Sequence, residues 1–470
     1  MGNLSRMSAP EVQRAQEWLR EHETALLEDT RRMVRIASVE DDPAPNAPFG
    51  KAVREALDLA LELGEGAGMR TKDVDGYAGF AEFGDGERMI ASFGHLDVVP
   101  VGPGWKHEPF GAEIDGEYLY GRGSLDDKGP TIASFYAARA LMETCPDLGV
   151  RVRCVFGCNE ESGMKCAEHY SKTEEAPSLG IAPDSGWPLY HGEKGIVNLL
   201  VEAKISESGF RLLRLEGGQR PNIVIDRCEA SVRVSADAKA EVEDALTCAW
   251  DRNVAWNWID SETLSVDAHG KAAHGSFPHG GDSAAIRALR FLRECAPLSA
   301  QGFYKDLFEM AHIGGAGLGI AGADEPSKDL TCNLGVVSTE ADALRLLFNV
   351  RYPVTWSGDM LRRRCEAHLK ELEGEFRLAD MNDSPPLYFP LEHPLVKAIC
   401  EAYREETGDD KEPGVMGGGT YARMFPNTVS IGTGWDGDGR AHETDERLKV
   451  ENLFRMSRIY AHILYRMARL

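Results

Sequence analysis

An apolar run that ends in a histidine and a carboxylate is the first place in the chain where chemistry is possible. Residues 89–100 read MIASFGHLDVVP, so His95 and Asp97 close a strand-like segment. Side chains two residues apart in a strand project to the same side, so Asp97 can brace the His95 imidazole or share a cation with it. A histidine that ends a buried strand is also a common core residue, so this fragment alone leaves metal binding and simple packing open.

Two pairs of adjacent acids offer further metal-binding or acid–base groups. Asp126 and Asp127 lie in a glycine-bounded turn (GRGSLDDKG, residues 121–129), and Glu160 and Glu161 follow the apolar run 150–158. Neighbouring carboxylates at a sheet edge cost free energy unless a cation or a proton compensates them. In extended backbone they point to opposite sides, so one can bind a metal while the other faces substrate. A helix N-cap for the aspartates and a solvated loop for the glutamates explain the same letters.

Asp184, in the segment APDSG, and His442, in GRAHETDE, would pass individually as loop residues. Taken with His95, Asp126 and Glu161, they supply the imidazoles and carboxylates that zinc accepts, with no thiolate among them. A donor set of this kind is typical of a catalytic zinc site with open positions. It is not typical of a closed structural site.

Charge and composition limit the partners of this chain. Its 470 residues include 76 acidic and 52 basic ones, a formal net charge of −24, which argues against nucleic-acid and anionic-membrane partners. Small substrates or cations fit this charge, and solubility alone explains it too. No apolar run approaches the ~20 residues of a membrane span. Residues 1–6 lack the apolar core of an export signal, so we expect a cytoplasmic protein. In that compartment its ten scattered cysteines are expected to be reduced.

Apolar periodicity predicts alternating strands, polar loops and helices in the first part of the chain, an arrangement that gathers polar side chains at the carboxyl ends of strands. Helices are expected over residues 10–36, 51–63 and 129–142, and strands over 77–83, 88–93, 150–158 and 179–182. The letters GDG at residues 84–86 predict a tight hairpin between the first two strands.

The pattern changes after about residue 187. Long strand-like runs with two helices fill the middle of the chain, and the helix–strand–helix pattern resumes beyond Pro385 and Pro386. We therefore predict an α/β fold in which a metal-bearing catalytic domain, residues 1–186 and 384–470, is interrupted by an inserted α+β lid domain, residues 187–383.

Six segments follow one another in the order typical of the aminoacylase and carnosinase clan of zinc peptidases, which the chain resembles. They are GHLDVVP (94–100), GRGSLDDKG (121–129), NEESG (159–163), PD (183–184), GKAAHGS (270–276) and GRAHETDE (439–446). Within this clan the chain is most similar to the PepV-type bacterial dipeptidases, from about residue 14 to the C-terminus.

This resemblance implies a centre of two Zn²⁺ ions, although carboxylate-rich sites also take Mn²⁺ or Co²⁺. By analogy, His95 and Asp184 hold one ion, Glu161 and His442 hold the other, and Asp126 bridges the two.

The resemblance also implies the groups that do the chemistry around these ligands. Glu160 looks like the general base that takes the proton from the metal-bound water, which becomes the bridging hydroxide. Asp97 looks like the group that orients His95. It further implies a cis peptide bond after Asp126.

Substrate-binding groups are implied in the lid. His274 resembles the residue that stabilises the tetrahedral oxyanion, while Asn222 and Arg351 resemble groups that hold the substrate, with Arg351 gripping a terminal carboxylate. Backbone N–H groups around Gly418, in the glycine run 417–419, are a further candidate for binding a carboxylate. A turn asparagine, a surface arginine and a mobile loop explain Asn222, Arg351 and Gly418 equally well.

The function that follows is metal-dependent hydrolysis of dipeptides that have a free amino terminus. The partner is then a small peptide, and the long lid favours a monomer. An N-acyl-amino-acid amidohydrolase of the same clan is the main alternative. A metal-free peptide-binding protein is a third reading, against which Glu160 beside a full ligand set argues.

Overall fold

A computed structural model describes residues 9–341 and 343–470, so the expectations for residues 1–6 lie outside the described residues. Its helices are α1 Pro10–Glu21, α2 Glu23–Val34, α3 Lys51–Gly66, α4 Lys128–Thr144, α5 Lys165–Thr173, α6 Ala236–Cys248, α7 Ala284–Cys295, α8 Gln301–Met310, α9 Gly358–Leu369, α10 Pro394–Thr407 and α11 Val450–Arg469. The helices expected over residues 10–36, 51–63 and 129–142 are therefore confirmed, the first of them as the two helices α1 and α2.

The strands alternate with these helices in the first part of the chain and dominate the middle. They are β1 Arg70–Val74, β2 Ala78–Phe83, β3 Met89–His95, β4 Glu113–Asp115, β5 Tyr118–Tyr120, β6 Arg151–Gly157, β7 Leu179–Ser185, β8 Leu189–Glu193, β9 Gly195–Lys204, β10 Phe210–Gly217, β11 Arg227–Val234, β12 Val254–Trp258, β13 Thr263–His269, β14 Ala323–Asp324, β15 Lys328–Asp329, β16 Thr331–Glu340, β17 Ala343–Tyr352, β18 Phe376–Ser384, β19 Leu387–Tyr388, β20 Gly414–Met416, β21 Thr428–Gly432 and β22 Arg447–Lys449.

The sheet that carries the predicted metal ligands has a parallel centre. Its successive neighbours include β1-β2-β6-β3-β7-β21-β8, and β6, β3, β7 and β21 pair in parallel. Every residue of β3 is buried, as expected for a central strand covered on both faces. Helix α4 packs so closely on β3 that a Cβ at Gly94 would come within 2.1 Å of Thr131 Oγ1. The predicted α/β fold class is confirmed.

The predicted hairpin between β2 and β3 is wrong. Both strands exist, but β6 lies between them, antiparallel to β2 and parallel to β3. The glycines of residues 84–86 permit a close crossing over the start of β6: a Cβ at Gly86 would meet the Gly149 carbonyl oxygen at 2.5 Å. A glycine-rich segment of this kind permits either a tight turn between paired strands or a close crossing over a third strand, so these residues do not by themselves specify the pairing.

The chain divides into two compact units. The first comprises Met1–His191, Phe389–Gly414 and Gly419–Leu470, and the second comprises Gly192–Tyr388 and Val415–Gly418. Antiparallel strands in the order β12-β13-β11-β10-β16-β17-β9-β18 form the sheet of the second unit, whose own apolar core includes Val197, Phe210 and Leu346. Assignment of catalytic and lid roles to two domains stays a prediction.

Two smaller observations complete the fold. Among the described residues, no helix combines the length and the apolar character needed to cross a membrane. All ten cysteines are unpaired in the structure, and all are buried except Cys248 and Cys400.

Candidate metal centre

The predicted ligands of the first unit meet at one edge of the parallel sheet. His95 is the last residue of β3, Asp184 lies near the end of β7, and Glu160 and Glu161 follow the end of β6. Because these strands run in parallel, their carboxyl ends bring the three sets of side chains to the same edge.

Asp126 lies between two imidazoles. Its Oδ1 is 3.1 Å from His95 Nε2, and its Oδ2 is 3.1 Å from His442 Nε2. His442 Nε2 is also 3.0 Å from Glu161 Oε2. The two oxygens of one carboxylate therefore face two different imidazole nitrogens. The peptide bond between Asp126 and Asp127 is cis, as the resemblance implied.

Two groups of side chains are close enough to hold an ion each. One is His95, Asp126 and Glu161, and the other is His95, Glu160 and Asp184; within each group the candidate ligand atoms lie within 4.8 Å of one another. Glu160, predicted as a general base, thus stands among candidate ligand atoms.

Asp97 links the ends of two strands. Its carboxylate accepts hydrogen bonds from the backbone N–H groups of Glu160 and Glu161, both at 3.1 Å. His95 Nδ1 is 2.8 Å from the Asp97 carbonyl oxygen and 3.6 Å from its Oδ1. Hydrogen bonding to this carbonyl leaves His95 Nε2 as the nitrogen that faces Asp126. Asp97 therefore orients His95 mainly through its main chain and fixes the glutamate pair through its side chain.

A buried carboxylate shapes the turn that carries Asp126. Glu446 Oε1 accepts hydrogen bonds from the backbone N–H groups of Gly123, Leu125 and Asp126 at 2.9–3.1 Å, and Glu446 Oε2 accepts one from Arg122 at 2.6 Å. Both partners of this ion pair are buried. Glu446 lies four residues after His442, so the same pair connects the segments of two predicted ligands.

The pKa shifts of the side chains in this cluster indicate an excess of negative charge. Hydrogen bonds to Asp126 and Glu161 raise the pKa of His442 to about 10. Burial opposes protonation of His95, yet hydrogen bonds to Asp126 and Asp97 raise its pKa well above the usual value. Burial, reinforced by repulsion from Asp184, raises the pKa of Glu160. The residues thus stabilise positive charge at this place.

These donors fit divalent metal ions. The described cluster combines two imidazoles with carboxylates and contains no thiolate, and a main-chain carbonyl holds the Nδ1 side of the His95 ring. Carboxylates that repel one another are compensated when cations lie between them. His95, Asp126, Glu161, Asp184 and His442 are the candidate ligands for such ions.

The second unit brings together the residues that sequence reasoning assigned to substrate. Gly275 N–H donates to the Asn222 carbonyl at 2.7 Å, and residue 223 forms a β-bridge with His274. Arg351 is buried and donates to the Gly417 carbonyl at 2.9 Å, beside Gly418. Their contact with a substrate stays a prediction.

Three residues that contact the segments of predicted site residues were given no role in the sequence analysis. Glu446 stands in the quoted segment around His442, and Ser276 stands two residues after His274, but neither was given a role. Asn333 is buried and donates to the carbonyls of Pro221 and Ile223 at 2.8 and 3.0 Å. Such residues bond to backbone or to a ring nitrogen, which leaves no periodic signal in a sequence. Proximity to a predicted ligand was the one signal available for Glu446 and Ser276.

The parallel strands of this α/β fold end at or near His95, Glu160, Glu161 and Asp184, with Asp126 and His442 in loops beside them, which is an arrangement suited to a metal-dependent enzyme. The profile of peptidase family M20/M25/M40 matches residues 91–466, and the chain belongs to this family. It is thus a metallopeptidase, and the resemblance to the aminoacylase and carnosinase clan is confirmed.

Curated relatives match over nearly the whole chain. A Bacillus subtilis protein named "Putative dipeptidase YtjP" is 35% identical over 457 residues, covering 94% of this chain and 97% of that one. A Staphylococcus epidermidis protein named as a dipeptidase in the same way is 35% identical over 462 residues, covering 95% and 97%. Among solved structures, human carnosine dipeptidase 1 has the same fold, with a TM-score of 0.57 at 16% identity, over 98% of this chain and 100% of that chain.

Proposed function

We propose that this metallopeptidase is a dinuclear dipeptidase that hydrolyses the peptide bond of dipeptides with a free amino terminus. One observation carries the proposal: the two oxygens of Asp126 each face a different imidazole, His95 and His442, at 3.1 Å. A carboxylate that faces two separate sets of donors is the arrangement needed to bridge two ions. The dipeptidase names of relatives at 35% identity support the choice of substrate.

When two zinc ions are bound, or Mn²⁺ or Co²⁺ in their place, they supply Lewis acidity that polarises the peptide carbonyl and makes water more acidic. His95 and Asp184 would hold one ion, Glu161 and His442 would hold the other, and Asp126 would be shared.

The proton is handled by the protein. Glu160 accepts it from the attacking water and passes it to the leaving amine. The Asp97 carboxylate holds the backbone N–H of Glu160 at 3.1 Å, which fixes where this base stands. In the metal-free protein, burial and the Asp184 carboxylate raise the pKa of Glu160.

The second unit supplies the substrate-binding groups in this proposal. His274 donates a hydrogen bond to the oxyanion, and Asn222 positions the substrate. Arg351 and the backbone around Gly418 bind the terminal carboxylate. The monomeric state and the cytoplasmic location expected from the sequence stay predictions.

The first experiment replaces the proposed base. We expect Glu160→Gln to lower kcat for Ala-Ala by roughly 10²–10⁴-fold with the metal content unchanged, because the amide cannot accept a proton. Glu168→Gln, which changes an exposed glutamate eight residues along the same part of the chain, is the matched control and should leave kcat unchanged. Metal content is measured by elemental analysis of each purified variant.

The alternatives give different results in the same experiment. Loss of one metal equivalent in Glu160→Gln would make Glu160 a ligand together with His95 and Asp184, and would remove its role as base. Unchanged turnover would overturn the mechanism. Faster hydrolysis of N-acetyl amino acids than of Ala-Ala by the unmodified enzyme would overturn the dipeptidase assignment.

A further inference from the structure

The backbone around His274 is anchored on both sides within the second unit. Phe277 N–H donates to the His274 carbonyl at 2.9 Å, and Gly275 N–H donates to the Asn222 carbonyl at 2.7 Å. These bonds fix where the His274 main chain lies. They do not fix the orientation or the tautomer of its ring, which depend on contacts of the imidazole itself.

One residue makes two contacts with the same ring nitrogen. The backbone N–H of Ser276 donates to His274 Nδ1 at 3.2 Å, and Ser276 Oγ lies 2.6 Å from the same Nδ1. A backbone N–H is only ever a donor, so Nδ1 must offer its lone pair. The Ser276 hydroxyl, which can donate or accept, then donates as well.

We propose that Ser276 is a positioning residue that fixes His274 in the neutral tautomer with its proton on Nε2, so that Nε2–H is the donor presented to the oxyanion. This inference rests on the proposed function for the role of His274. In the other neutral tautomer, Nδ1–H would face the Ser276 N–H, donor against donor, and Nε2 would present a lone pair to negative charge. Ser276 therefore decides which ring nitrogen carries the proton and which one offers a lone pair.

The arrangement reaches the other proposed substrate-binding groups. A Cβ at Gly417 would lie 3.6 Å from Ser276 Cβ, and the Gly417 carbonyl accepts from Arg351. Residue 223, which follows Asn222, forms the β-bridge with His274. Ser276 is thus placed within one unit beside the segments of Asn222, Arg351 and Gly418, where a loose imidazole would have most effect on substrate.

The test reads the tautomer directly by histidine ¹⁵N NMR of the metal-loaded full-length enzyme, with the His274 signals assigned by their absence in His274→Gln. We expect the unmodified enzyme to show an acceptor-type Nδ1 and a protonated Nε2. Ser276→Ala removes the hydroxyl donor but keeps the backbone N–H, so Nδ1 should remain an acceptor while both signals shift because one hydrogen bond to the ring is lost. Ser276→Thr keeps the hydroxyl and should restore them.

Kinetics on Ala-Ala provide the second readout. Because one hydrogen bond is lost, Ser276→Ala should lower kcat by roughly two- to tenfold with KM within twofold, and Ser276→Thr should restore it. Ser261→Ala, an exposed serine of the same unit, is the control and should match the unmodified enzyme in both readouts.

A proton on Nδ1 in the unmodified enzyme overturns the proposal, and so does a Ser276→Ala kcat equal to that of the Ser261→Ala control. The two readouts separate this inference from the proposed function. If the unmodified enzyme does not cleave dipeptides, the function fails, while the spectrum still decides the tautomer.

Discussion

Glu446 acts on the candidate metal centre without reaching a ligand atom. Its carboxylate holds three backbone N–H groups of the turn that ends in Asp126, and it pairs with buried Arg122. Burial raises its pKa while Arg122 and the N–H groups counter that effect, so the charged form depends on these partners. The position of Asp126 between two imidazoles is therefore set by a residue 320 positions away in the chain.

We predict that Glu446→Gln weakens metal binding roughly 10–100-fold and lowers the free energy of unfolding by about 3–5 kcal/mol. The amide NH₂ group would face the Arg122 guanidinium, leaving a buried cation without its counter-charge. Zinc titration calorimetry and urea denaturation measure the two effects. Glu443→Gln, an exposed glutamate of the same segment, should change stability by less than about 0.5 kcal/mol. Equal metal affinity in the two variants would contradict this role for Glu446.

At the scale of elements, a row of asparagines crosses the sheet of the second unit. Strand pairing places Asn382 on β18, Asn198 on β9, Asn349 on β17 and Asn333 on β16 directly opposite one another. Asn349 donates to Asn198 Oδ1 at 2.8 Å and accepts from Arg351 Nε at 3.1 Å. With Asn333 bonded to the carbonyls on either side of Asn222, the row supports two proposed substrate-binding residues.

We predict that Asn333→Ala raises KM for Ala-Ala more than it lowers kcat, because two buried carbonyls lose their donor and the segment that carries Asn222 loosens. The free energy of unfolding should fall by about 1–3 kcal/mol. Asn382→Ala, at the exposed end of the same row, should change stability by less than about 0.5 kcal/mol and leave KM unaltered. Steady-state kinetics and urea denaturation decide, and a pure kcat effect in Asn333→Ala would contradict the assignment.

The sequence predicts element types better than element partners. Period and composition placed α3 and α4 within a few residues, because burial of one face leaves a repeating pattern. Strand pairing has no such local record, so the β2–β3 hairpin was wrong even though both strands exist. The edge strand β12 and the strands β10 and β16 were not predicted, since exposed or irregular positions blur their alternation.

The candidate site shows the same division. His95, Asp126, Glu160, Glu161 and Asp184 are recognisable as candidates from their residue types beside predicted strands and a helix, and their individual roles follow only from the resemblance to the zinc-peptidase clan. The contacts that orient them are not recognisable from sequence. Asp97 binds the backbone of residues 160 and 161, and Glu446 binds the backbone of residues 123–126, and such bonds depend on how distant segments fold together.

At the scale of the whole molecule, the excess of carboxylates at the candidate metal centre matches the negative net charge of the chain. The chain carries a net charge of −24, and its candidate metal centre gathers Asp126, Glu160, Glu161 and Asp184 at one sheet edge. Without cations, this repulsion is relieved by protons on His95 and His442, whose pKa values are raised by the neighbouring carboxylates. Protons and metal ions therefore compete for the same positions.

This competition predicts a pH dependence of stability that differs between the two forms of the enzyme. The pKa of His442 is about 10 in the folded metal-free protein, above its unfolded value of about 6.5. Its protonation therefore stabilises the fold below pH ~6.5, and this contribution is lost as the pH rises towards 10. We expect the Tm of the chelator-treated protein to fall over this range.

The metal-loaded protein should show a flatter Tm profile over the same range, because bound cations replace the protons. Both forms share the repulsion of the remaining surface charge, so the difference between their profiles isolates the metal centre. Differential scanning calorimetry at matched ionic strength measures it. His442→Gln removes the titrating imidazole, so its metal-free profile should lose the part of the slope that His442 causes. Parallel profiles for the two forms of the unmodified enzyme would show that protons and metal ions do not share these positions.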